Sequence, residues 1–154
     1  VLENYYEQGL IKNIGVSNFN ENHLKRLEQT ANIAPAVDQI EICPFLVQKD
    51  TVDYCQGQGI IVEAWGPLGK GKQLGEPEII KLAEKYKKTP AQIILRWHLQ
   101  RGIVSLPKSV HKERIISNGD IFDFELSEED MKLMFTMDHR AETGRGYPAE
   151  YRRE

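Results

Sequence analysis

Short apolar segments alternate with helix-like segments along this chain of 154 residues. The apolar segments cover 12–18, 36–42, 60–65 and 103–107, and each is followed, directly or after a loop, by a segment of helical character. Strands joined by helical crossovers pair in parallel, because parallel neighbours need a long return connection and right-handed crossovers place the helix outside the sheet. The alternation therefore predicts an α/β fold with a parallel sheet.

Capping residues mark the starts of three predicted helices. Thr89 precedes Pro90 and stands three residues before Gln92, an arrangement in which the two polar side chains satisfy each other's backbone amides. Asn20 is a favourable first residue for the helix after the first strand, and Ser127 for the last helix. These positions predict where the crossover helices begin.

Polar residues within the strands help to choose between a doubly wound sheet and a closed barrel. Asp38, Gln39, Glu41 and Glu63 interrupt otherwise apolar runs. A flat sheet covered on both faces would bury them at a high cost in free energy, whereas the strand ends and interior of a barrel hold polar groups near a functional rim. The pattern favours a parallel (β/α) barrel, of which four strands are half, since such a barrel takes about 250 residues.

Composition and charge exclude several function classes. The chain carries 20 basic and 23 acidic residues, a net charge of -3, with no basic stripe for a nucleic acid or an anionic membrane. The histidines lack metal-ligand spacing, and Cys43 and Cys55 form no CxxC motif, so neither a metal site nor a disulfide is predicted. Without a membrane-length apolar run or a secretory signal, a cytoplasmic protein is the simplest interpretation.

The segment "VSLPKSVHKER" (104–114) places charged residues where a strand ends and a helix begins. Lys108 offers a compact positive charge, Ser109 a hydroxyl, and Arg114 a planar guanidinium that matches a phosphate. The amide end of a helix also favours an anion. The segment therefore predicts an anion-binding site.

Five segments in succession resemble signatures of the aldo-keto reductases: "IGVSNF" (14–19), "AVDQIEICPF" (36–45), "EAWGPLG" (63–69), "TPAQIILRW" (89–97) and "LPKSVHKERIISN" (106–118). The resemblance implies an eight-stranded (β/α) barrel that binds NADPH across the carboxyl ends of its strands. These segments are similar to its fifth to eighth strands. The whole chain, 1–154, is thus expected to be the C-terminal half of one barrel domain. Its opening "VLENYYEQG", which is typical of the second half of a helix, agrees with a fragment or truncated chain.

The resemblance assigns the nicotinamide end of the cofactor to two segments. Ser17, Asn18 and Gln39 match the residues that hold the carboxamide, although Gln39 also suits a purely structural role. Trp65 stands where the family commonly has a stacking tyrosine, so a large aromatic face is kept and a phenolic hydroxyl is lost.

The resemblance places the pyrophosphate against the loop "GPLGKGKQLG", where Gly66 and Leu68, with Gly69, let backbone amides approach phosphate. This loop is not a GxGxxG fingerprint and does not open a helix after a first strand, which excludes a Rossmann interpretation. Lys70 and Lys72 either clamp the diphosphate or belong to a solvated loop.

The adenosine end falls on the anion site. Lys108, Ser109 and Arg114 match the ligands of the 2'-phosphate that distinguishes NADP from NAD, and the backbone of Val110 and the side chain of Asn118 match contacts near the adenine. Ser117 replaces a glutamate of many family members, which leaves the strictness of NADP selection open. His111 either adds charge beside this phosphate or is solvated.

The catalytic tyrosine, lysine, aspartate and histidine of the family belong to the first half of the barrel, and their motifs are absent from this chain. No catalytic residue is therefore assigned, and the chain alone is expected to be inactive. A hydrolase is not predicted, since Ser17 and Ser109 lack the sharp nucleophile turn. The tail 138–154 either shapes the substrate pocket at the barrel mouth or is a frayed end.

Two functions remain open at this stage. The chain is either the cofactor-holding half of an NADP-dependent reductase of small-molecule aldehydes or ketones, or a non-catalytic half-barrel that binds a nucleotide or another protein. Because a four-stranded half leaves two sheet edges unpaired, either function predicts a partner. That partner is the missing N-terminal half-barrel or a second copy of the chain.

Overall fold

A computed structural model of the protein describes residues 1–138. The described chain alternates helices with strands: α1 Leu2–Glu7, β1 Gly15–Ser17, α2 Glu21–Glu28, β2 Val37–Glu41, α3 Lys49–Gly57, β3 Ile61–Trp65, a 3₁₀ segment Gly69–Gly75, α4 Pro77–Tyr86, α5 Pro90–Gln100, β4 Val104–Leu106, α6 Lys112–Gly119 and α7 Glu128–Phe135. The tail predicted to cross the barrel mouth lies, from residue 139 onward, outside the described residues.

The four strands form one sheet in the order β1-β2-β3-β4. β1 and β2 are parallel, with Gly15 opposite Val37 and Ser17 opposite Gln39. Each strand therefore lies beside the strand that precedes it in the sequence. The predicted parallel α/β fold is confirmed, and all four strands lie within the apolar segments that predicted them.

The predicted helix starts are also confirmed. In α5, the Thr89 hydroxyl accepts a hydrogen bond from the amide of Gln92 at 3.3 Å, and the Gln92 side chain accepts one from the amide of Thr89 at 2.9 Å. Asn20 accepts hydrogen bonds from two amides in the first turn of α2, and Ser127 accepts one from the amide of Asp130 in α7. Local capping chemistry thus fixes where these crossover helices begin.

The described residues divide into two compact units. The first comprises Val1–Ile40 and Gln48–Glu63, and the second comprises Glu41–Val47 and 64–138. In the first unit, α2 and α3 contribute Leu24, Val52 and Cys55 to the core, all at most 1% exposed. Burial of these apolar side chains away from water is the main stabilising contribution to this unit.

The second unit is built around α5. Trp97 is fully buried, with the Phe135 ring 5.8 Å away and the Arg101 guanidinium 4.4 Å from its ring centre. His98, next in the helix, is also fully buried, and this burial lowers its pKa to about 3. Both residues belong to the core of this unit.

The polar residues of the strands lie on two different faces. In β2, Asp38 and Ile40 are buried, while Gln39 on the alternate face is partly exposed. The Asp38 carboxylate lies 3.9 Å from the Cys55 thiol of α3, and burial raises the pKa of Asp38 to about 6. The expectation that the strand carboxylates occupy strand ends or a polar barrel interior is therefore wrong for Asp38, which packs on the helix side.

Within residues 1–138, no helix has the length and apolar character needed to cross a membrane.

Candidate functional site

A pocket of about 860 Å³ lies in the second unit, where β3 and β4 end. This volume is typical of small-molecule and cofactor sites. The lining of this pocket comes from the end of β2, the loop after β3, the start of α5 and the loop after β4, and includes Glu41, Trp65, Gly66, Pro67, Leu68, Lys70, Thr89, Pro90, Ala91, Lys108, Ser109, Val110, His111, Arg114 and Asn118.

The charges around the pocket suit an anion. Lys70, Lys108 and Arg114 contribute positive charge, whereas Glu41 is the only carboxylate among the described lining residues. α5 and α6 both begin at the pocket, so the partial positive charges of two helix amide ends add to those of the side chains.

The start of α6 holds the basic side chains on a defined turn. The Ser109 hydroxyl accepts a hydrogen bond of 3.1 Å from the amide of His111, which precedes the first residue of α6. The side chains of Lys108 and Arg114 remain exposed to solvent. Both cations are thus available to a ligand on a backbone that is already fixed.

The loop after β3 packs around a buried side chain, that of Gln73. Gln73 is 3% exposed, and its side-chain nitrogen donates a hydrogen bond to the Cys43 sulfur at 2.9 Å. Burial raises the pKa of the Cys43 thiol, which keeps the sulfur neutral. Gly69 has a left-handed φ of +53°. A Cβ at this position would lie 2.5 Å from the side-chain amide nitrogen of Gln73. A side chain at position 69 would therefore have to displace the buried Gln73 side chain and adopt a left-handed backbone.

Replacing Gly69 by Ala is expected to destabilise the protein by about 1–3 kcal/mol, because the new Cβ would displace Gln73 and the backbone is left-handed. Urea unfolding measures the change. Gly71→Ala is the matched control: its φ is +84°, but its Cβ would meet no atom closer than 3.9 Å, so it reports backbone strain without a clash. If Gln73→Ala fails to restore stability to the Gly69→Ala protein, the clash is not the cause.

The predicted carboxamide residues meet in the first unit. The carbonyl oxygen of Gln39 accepts hydrogen bonds from the Ser17 hydroxyl at 2.9 Å and from the Asn18 amide at 3.0 Å. Asn18 has a left-handed φ of +59°. The Gln39 side chain donates a hydrogen bond of 2.9 Å to the Glu63 carboxylate. These four residues form one hydrogen-bonded corner between β1, β2 and β3.

The sequence-predicted residues thus fall into two groups. Ser17, Asn18 and Gln39 lie together in the first unit, and the pocket of the second unit gathers the rest: Trp65, Gly66, Leu68, Lys108, Ser109, Val110, Arg114 and Asn118. Of the two loop lysines, Lys70 lines the pocket and Lys72 is not among its lining residues.

Sequence reasoning gave no specific role to three contributors to these sites, although it had placed Glu41 and Glu63 among the polar residues expected near a functional rim. Glu41 and the start of α5, Thr89–Ala91, line the pocket, and Glu63 bonds to Gln39. The capping pattern marked Thr89 as a helix start, but nothing local in the sequence connects that start with the loop after β4. Within 1–138, no group of three or more His, Cys, Asp or Glu side chains is arranged to hold a metal ion.

Comparison with known proteins gives one consistent result. The Aldo/keto reductase family model matches residues 1–138. Glyoxal reductase of Bacillus subtilis strain 168 is 54% identical over 130 residues, which are 84% of this chain and 47% of that protein. An uncharacterized oxidoreductase of Schizosaccharomyces pombe is 45% identical over 138 residues, which are 89% of this chain and 50% of that protein.

Solved structures agree with these sequence relatives. An aldo-keto reductase of the silkworm Bombyx mori, solved in complex with NADPH, is 40% identical with a TM-score of 0.85, covering 94% of this chain and 47% of that one. The chain spans about half the length of the curated relatives it matches. Because the family model covers all described residues and both curated relatives are at least 45% identical over more than four fifths of this chain, this chain belongs to the aldo-keto reductase family.

Proposed function

We propose that this chain is the NADP(H)-binding half of an aldo-keto reductase that reduces small-molecule aldehydes or ketones to alcohols. The observation that carries the proposal is the convergence of Lys108, Ser109 and Arg114 on one pocket. Three neighbouring groups of this kind suit a single phosphate dianion, which is the feature that distinguishes NADP from NAD. The silkworm relative, solved with NADPH, supports the same cofactor.

The donors around the pocket fit the phosphates of this cofactor. Arg114 offers a planar fork and Lys108 a point charge for the 2'-phosphate, and Ser109 a hydroxyl at the start of α6. The left-handed turn at Gly69 and Lys70 brings backbone close to the pocket, which suits the pyrophosphate. Val110 and Asn118 would contact the adenine.

The nicotinamide end would be held by residues that can both donate and accept hydrogen bonds. A carboxamide needs both, and Ser17, Asn18 and Gln39 supply them. Trp65, half-buried at the end of β3, would offer its ring face to the nicotinamide. When bound, NADPH supplies the hydride for carbonyl reduction.

We further propose that the sheet is half of a closed barrel. The sequential order β1-β2-β3-β4 supports this, because doubly wound sheets reverse their strand order at a switch point. The other four strands would come from an N-terminal half-barrel, which would also supply the tyrosine, lysine, aspartate and histidine that catalyse the reaction. The cytoplasmic location stays a prediction.

The test is a titration of the 154-residue chain with NADPH and with NADH, in which the quenching of tryptophan fluorescence reports binding. We expect NADPH to bind at least tenfold more tightly, a difference of about 1.4 kcal/mol, because only NADPH carries the 2'-phosphate. Equal affinities would contradict the proposal and favour a general nucleotide-binding module. Mixed with NADPH and a panel of aldehydes, the chain alone is expected to show no turnover.

A further inference from the structure

We propose that Glu63 is a positioning residue that orients the Gln39 amide with its oxygen toward the cofactor carboxamide. The inference rests on the proposed function, and it concerns a residue that the sequence-based assignment of the site did not include. Glu63 makes no assigned contact with the cofactor itself, so its effect is exerted through Gln39.

The geometry comes from two strands in the first unit. Gln39 alternates with the buried residues Asp38 and Ile40 in β2, and Glu63 likewise alternates with Val62 and Ala64 in β3. Both polar side chains thus leave their strands away from the buried positions. They meet in a hydrogen bond of 2.9 Å between the Gln39 nitrogen and a Glu63 carboxylate oxygen.

The chemistry of this pair fixes which atom Gln39 presents. An ionised carboxylate can only accept hydrogen bonds, so the amide nitrogen of Gln39 must face Glu63. Because the amide is planar, its oxygen then points to the other side of the group. Gln39 is held as a hydrogen-bond acceptor toward an incoming ligand.

The Ser17 hydroxyl is also held as a hydrogen-bond acceptor. Its hydroxyl hydrogen is used in the 2.9 Å bond to the Gln39 carbonyl oxygen, so the Ser17 oxygen is left with lone pairs. Together the Gln39 side chain and Ser17 offer two acceptors, and a primary carboxamide carries two N–H donors. The corner therefore selects a ligand that has an amide nitrogen over one of equal shape that lacks it.

The consequence is a measurable preference between cofactor analogues. 3-Acetylpyridine adenine dinucleotide phosphate replaces the carboxamide nitrogen by a methyl group and keeps everything else. Each lost hydrogen bond of this kind is worth about 1 kcal/mol, so with both lost we expect NADP⁺ to bind roughly thirtyfold more tightly than the analogue. Glu63→Gln puts an amide beside Gln39 that can donate or accept, so the orientation of Gln39 is released and the ratio falls to roughly the fivefold that the Ser17 acceptor alone would give.

The experiment measures the dissociation constants of NADP⁺ and of the analogue by tryptophan fluorescence, for the wild-type chain, Glu63→Gln and Glu63→Asp. Glu63→Asp keeps an acceptor and is expected to retain more of the preference. The matched control is Glu28→Gln, which removes another carboxylate that accepts one side-chain hydrogen bond, from Tyr54 at 2.8 Å. Glu28→Gln is expected to keep the wild-type ratio.

The outcomes separate this inference from the function on which it rests. If the wild-type chain binds NADP⁺ but shows no preference over the analogue, Gln39 is not held as an acceptor and the inference is overturned. The same conclusion follows if Glu63→Gln keeps the full wild-type ratio. If the wild-type chain binds neither compound, the proposed function itself fails and this inference falls with it. Even if Glu63→Gln does not fold, a wild-type ratio near one overturns the inference.

Discussion

Replacing Arg114 by Ala is expected to weaken NADPH binding roughly ten- to a hundredfold and NADH binding by only a few-fold. Hydrogen bonds to charged groups contribute about 1.5–3 kcal/mol, and Arg114 would place such bonds on the 2'-phosphate, which NADH lacks. The small effect on NADH reflects the loss of a guanidinium face near the adenine. Fluorescence titration of both cofactors gives the selectivity ratio directly.

Two further variants test whether the guanidinium acts as a specific ligand. Arg114→Lys keeps the charge but loses the planar fork, so an intermediate loss of NADPH affinity is expected. Lys112→Ala removes a charge from the same helix at a residue that does not line the pocket. It should change the affinities for both cofactors little and by the same factor. If Arg114→Ala weakens NADPH and NADH by the same factor, the 2'-phosphate is not its ligand.

Local signals explain how much of the fold could be predicted. Thr89 and Gln92 lie three residues apart, so their mutual capping is visible in the sequence and recurs in the structure. The strands were also predictable, because apolar runs between helical segments leave few other solutions. Both features depend on neighbours within a few positions of each other.

The site was harder to predict because its decisive contacts join distant positions. Gln39 and Glu63 are 24 residues apart, and Gln73 and Cys43 are 30 apart. A sequence shows that each side chain is polar, but not which one it meets. Asp38 is a different case, because side chains two residues apart in a strand lie on the same face. Asp38 and the apolar Ile40 are two apart, so strand alternation predicts that Asp38 is buried.

Asp38 makes the folded protein sensitive to pH in one direction. Burial raises the pKa of Asp38 from 3.8 to about 6. Hydrogen bonds from the amide of Phe19 and the thiol of Cys55 favour the ionised carboxylate and partly offset this rise. The folded state therefore holds this proton between pH 3.8 and 6 when the unfolded state does not, and the stabilisation is lost as pH rises through 6. Asp38→Asn, which stays neutral, is expected to stabilise the protein at pH 8 by about 2–3 kcal/mol.

His98 acts in the opposite direction. Burial first, and then the charge of Arg101, lower its pKa from 6.5 to about 3, although the carbonyl groups of Ile42 and Ile94 favour its protonation. The unfolded state therefore binds a proton between pH 3 and 6.5 that the folded state excludes. Acidification through this window destabilises the protein, and above pH 6.5 the effect vanishes.

The effects of Asp38 and His98 on the free energy of unfolding are expected to cancel between about pH 4.5 and 6. Each changes that free energy by roughly 1 kcal/mol per pH unit, and the two changes have opposite sign. Urea unfolding of the wild-type chain, Asp38→Asn and His98→Gln across pH 4.5–8 separates them, because carboxylates common to all three proteins drop out of the comparison. Relative to the wild type, Asp38→Asn should lose stability on acidification and His98→Gln should gain it. Parallel profiles for all three proteins would show that neither group titrates differently in the folded and unfolded states.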